Sequence, residues 1–431
     1  MLEGSTALEI VASIDRMIRF EQWKAGHQLP SVRVLAGQLG VNPNTVASAY
    51  KMLRDAGTIV TDGRRGTHVA GDVEHSAIEM AVPAGLRDLA SGNVDGRLLP
   101  RLNPDWLATP VSLASYDAGE DDPALITLAQ RWMFEPAGCN GPVAVFSSVL
   151  DAIERALLQR CRPGMKVLVE DPCWPPLLAL LISMRLKPVP LPVDAHGAQV
   201  PSAALLQESC AVILTARAHN PTGVSYSRER WQAWQFALAR SADSLLIIDD
   251  HWGALSAVAP PPLQIFSCEW VYVLSVSKFL GPELRLAVAA GNGPVLKTML
   301  RRHTFAPRWV SPLLQRIVAR AWQGMLDDNA LATVRDAYAT RRATLQASLL
   351  RHGVGVIEHG EGLHLWVPVD NETTIVQHLA SLGWAVQAGQ PFRLASPPAI
   401  RISIGNLALT DLDTLAADLA RALVPRTRAI Y

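Results

Sequence analysis

The stretch Ser275 to Arg285, S-V-S-K-F-L-G-P-E-L-R, decides the fold. The apolar run 271–276 reads as a buried strand, and it delivers Lys278 into a turn flanked by two serines and followed by Gly281-Pro282. A parallel strand emptying into a loop is where an open α/β sheet places its ligand chemistry. Desolvation by neighbouring apolar runs favours the neutral amine, the nucleophile that a Schiff base needs. Ser275, Ser277 and Arg285 offer two hydroxyls and a fork of donors suited to a phosphate. A solvated loop lysine is the competing reading, and the rest of the chain decides between the two.

Working outward, short apolar runs alternate with helical patterns from about Arg87, which predicts a mainly parallel sheet. Strands are expected at 143–146, 166–170, 211–215, 245–248, 271–276 and 286–290. The first is followed by Ser147-Ser148-Val149 at the start of a helix running to Arg160, where unpaired N–H groups and the helix dipole favour a phosphate; an ordinary serine N-cap fits equally. The second ends in Asp171-Pro172-Cys173-Trp174, whose indole can cover a flat ring or fill a core. After the third comes His219-Asn220-Pro221-Thr222-Gly223, with Asn220 either a ring-oxygen donor or a turn former. After the fourth comes Asp249-Asp250-His251. A carboxylate ending an apolar strand is costly to bury unpaired, so Asp249 calls for a cationic partner such as a protonated pyridine nitrogen.

The chain has 431 residues, 49% of them hydrophobic and 18% charged, enough for a large core and two or three domains. Lys+Arg and Asp+Glu balance at 39 each, which excludes a chain that coats nucleic acid along its length. Five scattered cysteines without a C-x-x-C pair indicate neither zinc nor a disulfide framework and fit a reducing compartment. The longest apolar run, 177–184, is far short of a membrane span, and no signal pattern opens the chain. A cytoplasmic protein without membrane partners or metal is expected.

Residues 1–70 read differently. Ser5 can cap a helix with an apolar stripe of Leu8, Val11, Ile14 and Ile18; a second helix runs from Ser31 to Gly40. Asn42 caps a third, with Pro43 in its first turn, Val46, Tyr50 and Leu53 buried, and Gly57 closing it. Strands at 58–61 and 67–70 flank Asp62-Gly63-Arg64-Arg65-Gly66, giving a helix-turn-helix followed by a β-wing with a basic tip. This leaves Asn44, Thr45 and Ser48 at the exposed start of a recognition helix, with Arg33, Arg64 and Arg65 placed to hold phosphates. The string L-P-S-V-R-V-L-A-G-Q-L-G-V-N-P-N-T-V-A-S-A-Y, residues 29–50, and the wing string R-G-T-H-V resemble the winged-helix head of GntR-type bacterial regulators. Residues 71–86, with Val82-Pro83-Ala84-Gly85, read as a linker that spans at most roughly 55 Å.

The order of clusters over residues 87–431 resembles the fold-type I pyridoxal-phosphate enzymes of the aminotransferase class, an α/β fold with a mostly parallel sheet and a smaller C-terminal subdomain, expected here from about residue 325. The resemblance implies pyridoxal 5'-phosphate as an internal aldimine on Lys278, Asp249 on the pyridine nitrogen, Asn220 on the ring oxygen and Trp174 on the ring face. It implies a phosphate cup of Ser147, Ser275, Ser277, Arg285 and the backbone of Ser148 and Val149. Tyr116, in Y-D-A-G-E-D-D-P, resembles the tyrosine that reaches the partner subunit's phosphate, which implies a homodimer. Arg401, in A-I-R-I-S, resembles the arginine that grips a substrate carboxylate. The chain departs from the family pattern at Ser148, usually glycine; at Val149, often a hydroxyl residue; at His251, usually the tyrosine that holds the phenolic oxygen; and at Glu283, within the usual P-G-L-R.

Together the two parts resemble the MocR subfamily of GntR regulators. That implies a DNA-binding transcription regulator of a double-stranded operator, responding to pyridoxal phosphate or to an amine or amino-acid effector. The rival readings are an active aminotransferase carrying a DNA-binding head, and a repressor whose large domain only dimerises.

Overall fold

The computed structural model describes all residues except 1, 20–22, 25, 56–57, 63–65, 70–81, 108–120, 140, 242, 304–308, 357–359 and 425–431. They form two compact units: one comprises Met1–Glu79, Cys161–Lys166 and Leu178–Pro188, the other Met80–Arg160, Val167–Leu177 and Val189–Tyr431. No helix among the described residues is long and apolar enough to cross a membrane.

The N-terminal region is three helices, α1 (Ala7–Arg19), α2 (Val32–Leu39) and α3 (Pro43–Asp55), followed by the antiparallel hairpin β1 (Ile59–Asp62) and β2 (Gly66–Val69). The cap of α1 differs from expectation. Thr6 Oγ1 accepts from Glu9 N, while Glu9 Oε2 accepts from Ser5 N, Ser5 Oγ and Thr6 N, the reciprocal pattern of a T-x-x-E capping box. The expected stripe also shifts. Ile10 and Ile14 are fully buried while Leu8 is 69% exposed, because the i, i+4 pair Ile10 and Ile14 faces the core and turns Leu8 outward. Ser31 caps α2, and Gly40 ends it at φ +68°, a conformation that favours glycine. Tyr50 donates to the Pro30 carbonyl at 2.7 Å, tying α3 to the start of α2. Val46, Tyr50 and Leu53 are buried as the pattern predicts. Gly57, Arg64 and Arg65 lie outside the described residues.

The large domain begins with β3 (Arg87–Leu89), which joins a small sheet described below. Its main sheet contains β4 (Val143–Phe146), β5 (Lys166–Asp171), β6 (Lys187–Asp194), β7 (Gly197–Ala198), β8 (Ser209–Thr215), β9 (Leu245–Asp250), β10 (Trp270–Ser275) and β11 (Ala287–Gly291). The spatial order is β4-β11-β10-β9-β8-β5-β6-β7. β8, β9 and β10 run parallel, whereas β11 is antiparallel to both neighbours. The parallel strands are buried throughout or nearly so, which is why they read as unbroken apolar runs.

The small sheet has the order β12 (His364–Pro368), β14 (Ala399–Ser403), β13 (Trp384–Ala388), β3. The smaller subdomain therefore does not consist only of the chain from about residue 325: Arg87–Leu89, just after the linker, pairs in parallel with β13. The 22-residue helix Ala330–Arg351 serves both cores, giving Val334 and Tyr338 to the large one and Leu345 and Leu349 to the small one. Each such buried aliphatic side chain contributes about 1.5–3 kcal/mol.

Cys161 and Cys210 are disulfide-bonded, a correction to the expectation of a chain without disulfides, since spacing alone does not give connectivity. Cys139, Cys173 and Cys268 are free and buried.

Candidate functional site

The strand ends converge on a cavity of about 430 Å³. From the start of the helix Val149–Arg160 it receives Ser147, Ser148 and Val149; from the turns after β5 and β8, Trp174 and Asn220; from β9 and its exit, Asp249 and His251. Ser275, Ser277, Lys278 and Arg285 complete the set. Thr215, which the sequence did not single out, also lines it and lies in register with Asp249.

Asp249 is 7% exposed, and its Oδ1 has no hydrogen-bond partner among the described residues. Burial, with the carboxylates of Asp250 and Glu170 behind it, pushes its pKa up to about 8, and Lys278 opposes the shift. Asp250 is held differently. Arg217 grips it through Nε, at 3.2 and 3.0 Å, and through Nη2, while Tyr272 donates its hydroxyl to the same carboxylate. Glu170 accepts from Tyr226 at 2.7 Å and from Thr215 N at 3.0 Å. Of three neighbouring acids, Asp249 is thus the one left with an unpaired oxygen, and it lines the cavity.

Lys278 lies in a one-turn helix, Ser277–Leu280, rather than an open turn. Its Nζ is 3.5 Å from the Gly92 carbonyl. Burial, then the Arg401 charge, lowers its pKa to about 8, against the pull of Asp249. Near physiological pH a minority of the amine, about a fifth, is therefore neutral, far more than in an ordinary lysine. Burial, together with Lys278 and His219, lowers His251 to about 3, so its imidazole is neutral.

At the helix end of the cavity, the helix begins at Val149, and Ser148 Oγ accepts from Asp151 N at 3.1 Å. Asp151 in turn accepts from Ser147 N and Oγ at 3.2 and 2.9 Å and pairs with Arg155 at 2.6 Å. The N-cap serine is hence Ser148, and the Ser147 hydroxyl is engaged by Asp151, a carboxylate that the sequence reading missed. Ser275 Oγ and Ser277 Oγ lie 2.8 Å apart. Arg285 is exposed, and its guanidinium meets no acid among the described residues.

Arg401 is on β14, an interior strand, and is 6% exposed, so it does not face solvent on an edge. Its Nη1 donates to Asn220 Oδ1 at 3.2 Å, its Nη2 to the Ala90 carbonyl, and its Nε has no partner among the described residues. Phe392 lies under the guanidinium at 4.9 Å. Arg401 is not among the residues that line the cavity. With its oxygen engaged by Arg401, Asn220 keeps its NH₂ for the cavity.

On the head, Arg33, Asn44 and Ser48 are exposed and Thr45 is half-buried. Tyr116 lies outside the described residues. The buried Arg217, Asp250 and Tyr272 and the buried His364 also escaped the sequence reading; charged residues at the ends of apolar strands were the available signal for the first two.

The residues present fit pyridoxal phosphate. An orphaned buried carboxylate suits its ring nitrogen, Lys278 its aldehyde, Trp174 its ring face, and the serines, Arg285 and the helix start its phosphate.

Residues 88–419 match the family Aminotransferase class I and II, and residues 6–69 match Bacterial regulatory proteins, gntR family. The Vitamin B6 salvage pathway transcriptional repressor PtsJ of Salmonella typhimurium is 37% identical over 98% of this chain and 100% of that protein. The HTH-type transcriptional regulator TauR of Rhodobacter capsulatus is 26% identical, covering 98% of this chain and 97% of TauR. The kynurenine aminotransferase of Pyrococcus horikoshii shares the fold at a TM-score of 0.69 and 17% identity, over 79% of this chain and 91% of that one. The α-aminoadipate aminotransferase LysN of Thermus thermophilus does so at 0.68 and 18%, over 79% and 92%. The chain belongs to the GntR-type transcription regulators of the MocR kind, in which a winged helix-turn-helix precedes an aminotransferase class I and II domain.

Proposed function

We propose that this regulator binds pyridoxal 5'-phosphate covalently through Lys278, as a Schiff base formed with loss of water, and that it changes its hold on an operator in response to the cofactor or to an amine that competes for it. The observation that carries this is the unpaired, buried Asp249 oxygen in one cavity with a lysine of pKa about 8. A pyridine nitrogen supplies the cation that Asp249 lacks, and the neutral fraction of the amine, raised by its lowered pKa, reacts with an aldehyde without a separate base. When bound, the cofactor supplies an electrophilic carbon and an electron-withdrawing ring. The chain's own residues orient it: Trp174 covers a face, Asn220 and neutral His251 address the ring oxygen, and Ser147, Ser148, Val149, Ser275, Ser277 and Arg285 surround the phosphate.

The 37%-identical relative is described as a repressor of vitamin B6 salvage, which supports the vitamin's phosphorylated aldehyde as the signal and genes of its supply as the target. The chain would act in the cytoplasm as a homodimer with Tyr116 completing the partner's phosphate site. Arg33, Asn44, Thr45, Ser48, Arg64 and Arg65 would face DNA.

The test adds pyridoxal phosphate to the full-length apo protein. A visible absorbance band that borohydride converts into a permanent adduct on Lys278, together with cofactor-dependent operator binding, is the expected result. A colourless protein removes the covalent scheme. Sustained conversion of amino-acid donors and keto-acid acceptors, at about 1–10³ s⁻¹, makes it an aminotransferase instead.

A further inference from the structure

The large domain holds a second cavity, of about 420 Å³, that shares no lining residue with the first. One wall is a face of the helix Ala330–Arg351, where Arg335, Ala339, Arg342 and Gln346 follow one another at intervals of three and four residues. Trp252, Leu255 and Val258 supply an apolar surface. The acid of the lining, Glu361, is already satisfied. Its carboxylate accepts from the Ser225 hydroxyl at 2.9 Å, from the Ser256 hydroxyl and from Ala257 N at 3.0 Å.

Arg342 is the unsatisfied member. It is 3% exposed, its Nη1 donates to the carbonyls of Glu361, at 3.3 Å, and of His364, and among the described residues its Nε has no partner and its guanidinium forms no ion pair. Burial lowers its pKa to about 10 against the pull of Glu361, so the group stays charged at neutral pH. A buried cation held by backbone carbonyls alone is costly, the mirror image of the demand that Asp249 makes in the first cavity. Room for it is kept by two glycines: a Cβ on Gly223 would lie 2.6 Å from Arg342 Nη1 and Nη2, and one on Gly360 2.8 Å from Nη2. Arg335, with its side chain 41% exposed, brings a second positive charge, partly offset by Asp336 at 3.2 Å. The lining thus sets two guanidiniums against one carboxylate that its own donors already hold. A cationic ligand adds repulsion here and a neutral one leaves Arg342 unrelieved, whereas an anion supplies the missing counter-charge.

We propose that this cavity is a second ligand site, one that takes a small organic anion, a carboxylate or phosphate monoester on a short apolar body, with Arg342 as the buried anchor and the Trp252 surface receiving the body. The site needs neither Lys278 nor a cofactor. It nonetheless has a short route to the first cavity. Gly223, which lies against Arg342, closes the turn whose Asn220 lines that cavity, and the Gly223 carbonyl accepts from Glu361 N at 2.8 Å. A guanidinium drawn toward an anion shifts against Gly223, so the turn registers that the second cavity is filled.

The experiment is a calorimetric titration of the full-length protein, first without and then with saturating pyridoxal phosphate. Benzoate and phenyl phosphate are the probes, set against benzamide and benzylamine, which match them in body and differ in charge. At least one anion should bind about tenfold or more tightly than both controls, and the tighter of the two names the head group. Saturation with the cofactor should leave a site for the anion. Anion binding that the cofactor abolishes belongs to the first cavity and overturns the proposal, as does equal binding of benzamide. A protein that never takes up the cofactor is still tested by the first titration and by the variants. Ala339→Trp fills the cavity from an exposed position on the helix and should weaken anion binding about tenfold or more while the protein still melts cooperatively. Arg342→Met should weaken it as much. Unchanged anion affinity in Ala339→Trp overturns the proposal, even where Arg342→Met fails to fold. Hydrogen exchange in peptides covering 219–225 reads the route between the cavities: the bound anion should change it in the wild type and not in Ala339→Trp. Exchange there that the anion leaves unchanged removes that route.

Discussion

The Asn220 amide oxygen accepts a hydrogen bond from Arg401 at 3.2 Å although 181 residues separate them. The turn that faces the cavity and the interior strand of the small sheet are thus tied by one polar contact, and whatever draws Arg401 away also frees Asn220. This gives the regulator a direct mechanical connection between the cavity-lining turn and the C-terminal sheet.

Capture of pyridoxal phosphate by the apo protein should follow the free amine of Lys278. With a pKa of about 8, the neutral fraction rises about tenfold between pH 7 and 9 and then levels off. Initial rates of band formation measured from pH 6.5 to 10 check this. A rate still climbing steeply above pH 9 would mean an ordinary, solvated lysine. Lys278→Ala should form no reducible adduct at any pH.

Asp249→Asn should stabilise the apo protein and weaken the holo protein. In the folded chain Asp249 keeps its proton up to about 8, against 3.8 ordinarily, so folding takes up a proton between those values and stability is lost as pH rises from about 4 to 8. Thermal melts of the apo variant should therefore exceed wild type at pH 7 and converge with it near pH 4. The same variant should lose more than about thirtyfold in cofactor affinity, because the ring nitrogen loses its buried counter-charge.

Arg217→Met should destabilise the chain by about 3–5 kcal/mol, since it leaves Asp250 buried with its charge uncompensated. Arg217→Met/Asp250→Asn should recover most of that loss in denaturant unfolding. Equal stability of the single and double variants would show that the pair is not what Arg217 contributes.

On the head, Arg33→Ala should weaken binding to all DNA sequences and flatten the salt dependence by about one counterion, as expected of a phosphate contact. Asn44→Ala should instead alter preference at one or two base pairs. Titrations of matched and scrambled duplexes at several salt concentrations separate the two.

The central strands were legible because burial on both faces leaves a plain apolar run, so β4 and the bulk of β5, β8, β9, β10 and β11 were found within two residues or so at either end. β6 was not, because Pro188, Pro190 and Pro192 argue against a strand. At alternate positions they remove donors from one side only, and the other side still pairs. β12 and β13 hid behind His364 and Gln387, polar residues whose burial no pattern announces. The residues that line the cavity could be read from strand ends. Their support could not: the contacts of Gly92 with Lys278 and of Ala90 with Arg401 span 186 and 311 residues, and Asp151 intrudes at the helix start through a side-chain cap.

The helix Ala330–Arg351 anchors one end in each core. At about 1.5 Å per residue the stretch from Tyr338 to Arg351 is a rod of roughly 20 Å, and a tilt of only about 5° at Tyr338 would carry the far end through roughly 2 Å. The two cores are thereby geared together. A small rearrangement beside Tyr338 becomes a displacement of the small core at the far end, so this regulator has a lever already fitted between its two cores.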